Sequence, residues 1–471
     1  MINSALSFQI IHNFRYNLTK DQNLALEKMV AFLCSADTES LFVLKGYAGT
    51  GKTTFLAAIV KTLCEFKQKT VLMAPTGRAA KVFSNYSGQL AFTIHKKIYR
   101  QKAFSNEYTN FQAAKNLHSN TIFIVDEASM IADEITDSSS FGSGRLLDDL
   151  IQYVYSGENC RLILIGDEAQ LPPVKQTESP ALNLQTLGRY GLNIQTATLT
   201  QIVRQEEDSG ILYNATHIRE ALRLNLIHAF PKISFQGFTD IRKITGSELI
   251  EEIESAYSRD GLDETIIITR SNKRAVIYNN GIRNRILYRE EELSSGDRLM
   301  VAKNNYFWTL NNKEISFIAN GEIVQVLRVR KTMELYGFRF ADVTVRFVDY
   351  DVEMDMKILL DTLQTETAAL PQELNERLFY TILEDYDTIT TKAGRLKKMK
   401  TDPFYNAVQV KYAYAITCHK AQGGQWRNVF LDIGYITEEM LGEDFYRWLY
   451  TAFTRSTHQL YLVNMPDEFE K

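Results

Sequence analysis

The sequence predicts an α/β fold with two parallel-sheet domains and a β-rich segment inserted into the second of them. Over the first 210 residues, short continuous apolar runs alternate with stretches of helical periodicity, and similar runs return from residue 265 onward. Continuous apolar runs are typical of strands that are buried on both faces of a parallel sheet. Between about residues 291 and 400, apolar and polar residues alternate with a period of two, which indicates half-buried antiparallel strands.

The first predicted domain spans residues 1–210. Its strands are predicted at four apolar runs, each bounded at its C-terminal end by Gly, Pro, Asp or Glu: residues 41–44, 71–74, 122–125 and 162–165. Alternation of these runs with helical stretches is typical of a doubly wound domain, in which ligands gather at the carboxyl ends of the strands. Residues 131–160 include a Ser- and Gly-containing stretch and are predicted to be a loop without an assigned role.

The second predicted domain is assembled from residues 211–290 and 401–471. Its strands are predicted at residues 265–269, 408–416, 429–433 and 460–463. Residues 291–400 are predicted to form the inserted β-rich domain, together with a helix and a basic loop. The helix is predicted because Leu374, Leu378 and Ile382 repeat at helical spacing, and the basic loop covers residues 392–400.

Composition excludes several classes of protein. With 471 residues, 45% of them hydrophobic and 23% charged, the chain has the composition of a folded soluble protein, which argues against disorder and small disulfide scaffolds. The net charge of −4 excludes a polybasic protein but not a nucleic-acid binder, because basic surfaces can be local. The four cysteines form no C-x-x-C pair, and neither a signal peptide nor a membrane span is evident. A cytoplasmic protein with no membrane partner is expected.

The sharpest motif runs from Gly46 to Thr53 and matches G-x-x-x-x-G-K-[ST]. It lies between a predicted strand and a predicted helix, which is the context that a phosphate-binding loop requires. Its glycines allow backbone N–H groups to turn toward phosphate, and the start of the helix adds positive potential. We expect Lys52 to hold the β- and γ-phosphates of a nucleoside triphosphate, and Thr53 to ligate Mg²⁺.

Two further strand ends carry polar residues suited to phosphoryl transfer. Asp126 and Glu127 follow an apolar run, so Asp126 is predicted to hold Mg²⁺ through water and Glu127 to orient or deprotonate the attacking water. The alternative for this pair is an exposed acidic turn. Gln170 follows the next run and is predicted to sense the γ-phosphate, since an amide can both donate and accept hydrogen bonds. Its alternative is a loop made rigid by Pro172 and Pro173.

Two arginines complete the predicted catalytic set. Arg204 lies near the end of the first predicted domain, and Arg455 lies in the second. An arginine that reaches the transferring phosphoryl group stabilises charge in the transition state. An isolated arginine more often makes a surface ion pair, so these two are singled out only because the other motifs accompany them. The predicted catalytic residues are Lys52, Glu127, Gln170, Arg204 and Arg455.

The order of these motifs resembles that of the superfamily 1 helicases, in particular the RecD/Dda-like group, which is similar to the Pif-type helicases of superfamily 1B. The matches run from Gln22 to Arg455, which is most of the chain. The segment around Gln22 resembles the adenine-recognising glutamine motif. Residues 46–53 are similar to motif I, 74–80 to motif Ia, 93–95 to motif Ib, 126–127 to motif II, 166–170 to motif III, 199–205 to motif IV, 417–423 to motif V and 450–455 to motif VI.

This resemblance implies an ATP- and Mg²⁺-dependent DNA helicase with two RecA-like domains, between which ATP binds. The predicted ATP-binding residues are Gln22, Gly46, Gly49, Thr50, Gly51, Lys52, Thr53 and Thr54. Single-stranded DNA would cross the top of the two domains, held by Pro75, Thr76, Arg78, Thr93, His95, Thr417, His419 and Lys420. The family's inserted barrel is of the Src-homology type, and its presence is the main reason for expecting superfamily 1B and 5′→3′ translocation.

Residues 96–118 are predicted to form a pin or wedge that splits duplex DNA, because they occupy the family's pin position between motifs Ib and II. Basic residues are interleaved there with Tyr99, Phe104, Tyr108 and Phe111. Basic groups can follow a nucleic-acid backbone while aromatic rings stack on bases. The alternative is a solvated basic hairpin whose aromatic residues belong to the core.

The resemblance therefore predicts a monomer that acts on single-stranded DNA and duplex junctions, in replication, recombination or repair. Two alternatives remain open. The chain could be a superfamily 1 RNA helicase, which a requirement for the 2′-OH would reveal. It could also be an ATP-switched translocase or a scaffold subunit of a recombination complex, in which a partner would unwind the duplex.

Overall fold

The structure is a computed structural model, and it describes residues 2–101, 111–134, 142–203, 209–309, 317–349 and 352–471. The strands in these ranges are β1 (Ser40–Gly46), β2 (Lys69–Ala74), β3 (Ala91–Thr93), β4 (Tyr99–Gln101), β5 (Phe111–Ala113), β6 (Thr121–Val125), β7 (Arg161–Gly166), β8 (Asn193–Leu199), β9 (Ile241–Ile244), β10 (Thr265–Thr269), β11 (Arg298–Val301), β12 (Ile323–Leu335), β13 (Phe338–Phe347), β14 (Val352–Leu359), β15 (Val408–Tyr412), β16 (Ala415–Thr417), β17 (Trp426–Asp432) and β18 (Ser456–Val463).

The α-helices lie between and beside these strands. They are α1 (Ile2–Phe14), α2 (Lys20–Cys34), α3 (Lys52–Glu65), α4 (Gly77–Ser87), α5 (Ile94–Ile98), α6 (Leu146–Tyr155), α7 (Leu184–Gly188), α8 (Gly210–Arg223), α9 (Leu249–Asp260), α10 (Asn272–Arg285), α11 (Gln372–Glu384), α12 (Lys392–Met399), α13 (Cys418–Ala421) and α14 (Glu443–Phe453). In the described part of the chain, no helix is both long enough and apolar enough to span a bilayer.

The first sheet has six parallel strands in the order β3-β2-β6-β7-β1-β8. Apolar residues of its central strands are buried on both faces of the sheet, where they belong to two separate core clusters. This burial explains why the strands appear in the sequence as continuous apolar runs. The phosphate loop follows β1 and the acidic pair follows β6, at the carboxyl edge of the sheet.

Helix α6 corrects the prediction that residues 131–160 form a loop. Leu147, Leu150, Ile151 and Val154 recur at helical spacing and are all buried against the first sheet. The prediction was wrong because it weighted the Ser- and Gly-containing stretch above this periodicity.

The second sheet has five parallel strands in the order β16-β10-β17-β18-β9. A closed barrel of strands β11 to β15 is inserted between β10 and β16. The predicted α/β class, with two parallel-sheet domains and a small inserted barrel, is confirmed. On β13, Val343, Val345 and Phe347 point into the barrel core, as their period-two spacing indicates.

One predicted strand of the second domain is divided between two sheets. The apolar run at residues 408–416 becomes β15 in the barrel and β16 in the second parallel sheet, with Ala413 and Tyr414 between them. The barrel thus extends to Tyr412, beyond the predicted limit at residue 400. Because no Gly or Pro separates the two strands, the sequence presents them as one run.

Helices α11 and α12 pack beside the barrel on a separate small core. That core includes Leu378 and Ile382, so the helix predicted from their spacing is confirmed. The predicted basic loop at residues 392–400 is largely helical, because α12 covers most of it.

Candidate nucleotide site and nucleic-acid interface

A cavity of about 530 Å³ lies between the first sheet and the second domain. The first domain contributes most of the predicted nucleotide residues to its wall, and Arg455 enters from the second domain. The predicted site residues that line it are Gly49, Gly51, Lys52, Thr53, Thr54, Asp126, Glu127, Gln170 and Arg455. Residues from four separate motifs therefore meet in one cleft between two domains.

The phosphate loop connects β1 to α3 in a conformation that requires glycine. Gly49 and Gly51 have φ angles of +78° and +77°, in the left-handed region that side chains disfavour. Gly51 precedes α3 and provides no side-chain cap, so the first N–H groups of the helix are left for a ligand. Thr53 and Thr54 are exposed on the first turn. Such a loop can hold phosphate oxygens with backbone N–H groups.

Lys52 folds back over its own loop. Its Nζ donates hydrogen bonds to the carbonyls of Gly46 and Tyr47, the second over 2.8 Å, and lies 3.9 Å from the Asp167 carboxylate. A Cβ on Gly46 would lie only 2.8 Å from the Lys52 side chain, so glycine is needed there for this close approach. Thr50 is fully buried, and its hydroxyl donates to Tyr47 over 2.8 Å. Gly46 and Thr50 thus shape the loop rather than line the cavity.

The acidic pair lies at the end of β6, as the sequence indicates. Burial raises the pKa of Asp126 and of Glu127, while the Lys52 ammonium opposes the shift at both and the Arg455 guanidinium opposes it at Glu127. The hydroxyl of Tyr86 donates to Asp126 and thereby favours its carboxylate form. Glu127 has a φ of +53°, an uncommon conformation for a residue with a side chain, and one that is often found at functional sites.

Gln170 lies on the loop after β7 and is 6% exposed. Among the described residues, its Oε1 atom is buried without a hydrogen-bond partner. A buried polar atom without a partner is costly, and one that lines a cavity can be satisfied by a ligand. The side chain therefore has free hydrogen-bonding capacity on the side where the phosphates are predicted.

Arg455 is 2% exposed and is the second domain's predicted contribution to the site. Its Nε donates to the Thr451 carbonyl over 3.0 Å, and its Nη1 donates to the Gly424 carbonyl over 3.2 Å. These bonds fix the guanidinium at the end of α14, where it faces the cavity. Arg204, the other predicted arginine, lies outside the described residues.

Gln22 lies against the phosphate loop and not on the cavity wall. Its Nε2 donates to the Thr50 carbonyl over 3.0 Å, and its Oε1 accepts from the Thr19 N–H over 3.0 Å. The Thr19 hydroxyl accepts in return from the Gln22 N–H, which completes a capping box at the start of α2. Gln22 thus supports the loop, and one amide N–H and one lone pair remain for other partners.

Sequence reasoning missed a set of contacts that α14 makes with the first domain. Arg447, Tyr450 and Thr451 lie on one face of α14 and all bond to residues of the loop after β7. Tyr450 also accepts from the N–H of Ala48 in the phosphate loop, over 2.8 Å. The recurrence of these three hydrogen-bonding side chains at i, i+3 and i+4 was the available signal.

The predicted DNA residues of motif Ia face the second domain. Arg78 lies 4.4 Å from the ring centre of Trp426, and its Nη2 donates to the Gln425 carbonyl over 3.0 Å. Burial lowers the pKa of Arg78, and the nearby carboxylate of Asp349 in the barrel opposes this shift. Thr76 caps α4 by accepting from an N–H over 3.2 Å. Pro75, before it, is half-buried. Arg78 thus contacts the second domain, whereas the sequence predicts that it contacts phosphate.

Thr93 and His95 lie at the base of the predicted pin. The Thr93 hydroxyl caps the short helix α5, and Thr93 is buried. The His95 ring lies 5.6 Å from that of Tyr99 and 6.3 Å from that of Phe317, which belongs to the loop before β12. Burial lowers the pKa of His95 to about 4, so the imidazole is neutral near pH 7. A neutral, half-buried imidazole is poorly suited to an ionic contact with phosphate.

Thr417, His419 and Lys420 lie at the start of α13, beside the barrel. His419 is exposed, and Thr417 makes no side-chain cap, so both side chains are available to a ligand. Lys420 donates to the side chain of Asn320 in the barrel, and burial lowers its pKa to about 8. The predicted DNA residues are therefore brought to the junctions of the first domain, the second domain and the barrel.

The predicted pin has a two-stranded base. Strands β4 and β5 pair in an antiparallel hairpin, and residues 102–110, including Phe104 and Tyr108, lie outside the described residues. Tyr99 is 3% exposed and its hydroxyl donates to Asp149 over 2.7 Å. Tyr99 therefore belongs to the core, which its place among the basic residues of the segment did not reveal.

Two family models and several characterised relatives resemble this chain. A model described as an AAA domain matches residues 17–228, and one described as a UvrD-like helicase C-terminal domain matches residues 412–463. The ATP-dependent RecD2 DNA helicase of Deinococcus radiodurans is 24% identical over 95% of the chain. The ATP-dependent DNA helicase Dda of phage T4 is 24% identical over 89% of the chain. These matches support a superfamily 1 helicase of the RecD-like group, which is an ATP-hydrolysing enzyme.

The relatives differ in length from this helicase. It spans about half of RecD2 (49%) but 93% of Dda. It also spans 98% of the uncharacterized protein R530 of Acanthamoeba polyphaga mimivirus, which is 24% identical over 93% of the chain. A solved structure of Pif1 helicases at forked DNA aligns with 97% of the chain and 94% of its own, at 16% identity and a TM-score of 0.49, a similarity too low to support a conclusion.

Proposed function

We propose that this enzyme is an ATP-dependent DNA helicase that moves 5′→3′ on single-stranded DNA and unwinds duplexes. The observation that carries the proposal is the cavity between the two parallel-sheet domains. A phosphate loop and an acidic pair line it from one domain, and Arg455 lines it from the other. A nucleotide held there would contact both domains, so its hydrolysis would change how the domains lie relative to each other.

The residues of the cavity fit ATP with Mg²⁺. The Thr53 hydroxyl and the Asp126 carboxylate are oxygen donors of the kind that Mg²⁺ prefers, and the orphaned Gln170 oxygen suits a ligand at the phosphate end. When bound, the metal ion would neutralise charge on the phosphates. Lys52 would leave its loop carbonyls and hold the phosphates together with the N–H groups of Gly49, Gly51 and the first turn of α3.

The proposed hydrolysis uses residues of both domains. Glu127 would orient the attacking water and take up its proton, which a raised pKa makes easier. Gln170 would contact the γ-phosphate and report its presence to the rest of its loop. Arg455 would stabilise charge on the transferring phosphoryl group, and Arg204 is proposed from its motif to assist. Gln22 would support the loop and use its remaining hydrogen-bonding capacity on adenine.

The proposed DNA path follows the carboxyl edges of the two sheets. Thr76, Thr417, His419 and Lys420 are the residues whose exposure and donors best suit phosphate contacts. Such contacts hold a strand without reading its sequence. The names of RecD2 and Dda as DNA helicases favour DNA over RNA. The 5′→3′ direction is proposed from the family resemblance and the inserted barrel.

We propose that the chain acts as a monomer in replication, recombination or repair. Its domains would be residues 1–210, the second domain at 211–290 with the chain after the barrel, and the barrel domain from 291 to Tyr412. The hairpin of β4 and β5 would be the base of a pin that separates the strands. Its place beside the barrel loop, through His95 and Phe317, suits an element that must stay fixed against a duplex.

The test is strand separation by the purified protein on matched duplexes. One duplex carries a 5′ single-stranded tail and the other a 3′ tail, each with and without ATP and Mg²⁺. We expect unwinding of the 5′-tailed duplex alone. Unwinding of only the 3′-tailed duplex would contradict the proposed direction. In a further comparison of RNA with DNA as the single-stranded tail, preference for RNA would indicate an RNA helicase. ATPase activity stimulated by DNA but without unwinding would indicate a translocase or a subunit of a larger assembly.

A further inference from the structure

Side chains of helix α14, in the second domain, bind backbone atoms of the loop at residues 167–171. Arg447 Nη1 donates to the carbonyl of Gln170 over 3.3 Å. The Thr451 hydroxyl accepts from the N–H of Leu171 over 2.8 Å, at a buried position. Since Gln170 is the proposed γ-phosphate sensor, the second domain is attached directly to the segment that would respond to the nucleotide.

Tyr450 adds a contact to the phosphate loop itself. Its hydroxyl accepts from the N–H of Ala48 over 2.8 Å and donates to the Asp167 carboxylate over 2.8 Å. The side chain is 1% exposed, and burial together with Asp167 raises its pKa well above the usual value, so the hydroxyl keeps its proton. Asp167 in turn lies 3.9 Å from the Lys52 ammonium. One hydroxyl thus joins the second domain both to the phosphate loop, at Ala48, and to the loop after β7, at Asp167.

The same helix fixes Arg455. The guanidinium follows the end of α14 and bonds back to the carbonyl of Thr451, the residue next to Tyr450. The position of Arg455 relative to Lys52 and Glu127 therefore depends on how α14 sits on the first domain. Tyr450 and Thr451 set this position through their hydrogen bonds to Ala48 and Leu171 of the first domain.

We propose that Tyr450, with its neighbour Thr451, is a positioning residue of the ATPase reaction. By tying α14 to the phosphate loop and to the loop after β7, it holds Arg455 where the guanidinium reaches the transferring phosphoryl group. Its hydroxyl already has two partners, so it acts through Arg455 and not on the phosphates. The inference rests on the proposed function. The inference adds the residues that fix the position of one domain relative to the other.

The first test compares two tyrosines of α14 by removing only a hydroxyl. Tyr450→Phe loses both cross-domain bonds, and we expect kcat of the DNA-stimulated ATPase to fall by about ten- to a hundredfold, since small misplacements of a catalytic group have effects of this order. KM for ATP and the affinity for a fluorescent ATP analogue should change less than about threefold, because Lys52 and the loop N–H groups remain. Tyr446→Phe is the matched control. It loses a 2.7 Å bond to Ala229, within the second domain, and should retain kcat.

A second test asks whether Tyr450 acts through Arg455. In an Arg455→Lys background, adding Tyr450→Phe should lower kcat by less than about twofold, because the group that it positions is already gone. A full multiplicative loss in the double variant would overturn the inference. So would an unchanged kcat in Tyr450→Phe, a rise in KM alone, or an equal loss of kcat in Tyr446→Phe.

A third comparison covers the case in which Tyr450→Phe does not fold, which thermal melting would reveal. Thr451→Val removes the acceptor for the Leu171 N–H, whereas Thr451→Ser keeps it. Loss of kcat in the valine variant with retention in the serine variant supports the inference, and retention in both overturns it. The activity of the wild-type protein distinguishes a failure of the proposed function from a failure of this inference. A wild-type protein that neither binds nor hydrolyses ATP contradicts the proposed function, whereas an active wild type with an equally active Tyr450→Phe contradicts only this inference.

Discussion

The side-chain amide of Gln22 donates a hydrogen bond to the backbone carbonyl of Thr50 over 3.0 Å, and this bond ties the start of helix α2 to the phosphate loop. Gln22 is fully buried and also completes the capping box of the helix with Thr19. A residue that the sequence marks for adenine recognition thus also supports the backbone that would hold the phosphates.

Replacing Gln22 tests both roles. Gln22→Ala should lower the free energy of unfolding by about 1 kcal/mol through the lost cap. It should raise KM for ATP by roughly two- to tenfold through the lost loop contact. KM for ATP should rise more than KM for GTP, because a glutamine amide matches the donor and acceptor edge of adenine. Asn23→Ala, which loses only local bonds to Leu18 and Thr19, is the control. An unchanged KM for ATP would contradict both roles.

Lys52→Ala should reduce ATP turnover on the order of a hundredfold or more while leaving single-stranded DNA binding intact. Lys52 lines the cavity and would place its positive charge on the phosphates of ATP, whereas the proposed DNA contacts lie outside this cavity. Steady-state ATPase assays and fluorescence anisotropy with labelled DNA would measure the two effects. Lys61→Ala, at an exposed position on the same helix, should leave both unchanged. Normal hydrolysis by Lys52→Ala would show that the nucleotide site is assigned wrongly.

Arg455→Lys should keep ATP binding but lower single-turnover hydrolysis by at least a hundredfold. Lysine retains the charge but not the planar fork with which Arg455 bonds to the Thr451 and Gly424 carbonyls. Arg427→Lys is a control in the same domain, since Arg427 is half exposed and pairs with Asp260. If Arg455→Lys weakened ATP binding without affecting the rate of the bound complex, Arg455 would be a binding residue and not a catalytic one.

DNA affinity should fall as the pH rises through about 8. Burial lowers the pKa of Lys420 to about 8, so the free enzyme loses this positive charge above that pH. A bound phosphate favours the ammonium, and binding above pH 8 therefore requires the uptake of a proton. Lys420→Arg should flatten the dependence between pH 7.5 and 9.5 at constant ionic strength, because arginine stays charged. Lys411 and Lys420 line a small cavity between α10 and the barrel. Burial also lowers the pKa of Lys411 to about 8, so Lys411 should account for the remaining dependence.

Arg78 provides a test of the interface between the domains. Because its guanidinium contacts Trp426 and the Gln425 carbonyl, Arg78→Ala should slow unwinding while leaving the salt dependence of DNA binding unchanged. Lys420→Ala should instead reduce the slope of log affinity against log salt by about one, as expected for a lost phosphate contact. Titrations at several salt concentrations would distinguish the two. A reduced slope for Arg78→Ala would assign it to phosphate, as its motif predicts.

The sequence alone determined the features that depend on neighbouring residues along the chain. The phosphate loop was predictable because its glycines and Lys52 must occur at fixed spacing between a strand and a helix. The acidic pair was predictable because Asp126 and Glu127 end a continuous apolar run, and the inserted barrel because its strands alternate with a period of two. In each case, the local pattern carries the physical requirement.

Only the tertiary structure decided which distant groups meet. The run at residues 408–416 could not reveal that its two halves belong to different sheets, since no Gly or Pro separates them. Nothing near Tyr99 indicated that its hydroxyl would reach Asp149 in the core. The bond between Tyr450 and Ala48 joins residues at opposite ends of the chain, and no local periodicity encodes such a pair. Hydrogen bonds across a domain interface depend on how complete domains pack, so the sequence could mark Arg455 but not the contacts that hold it in place.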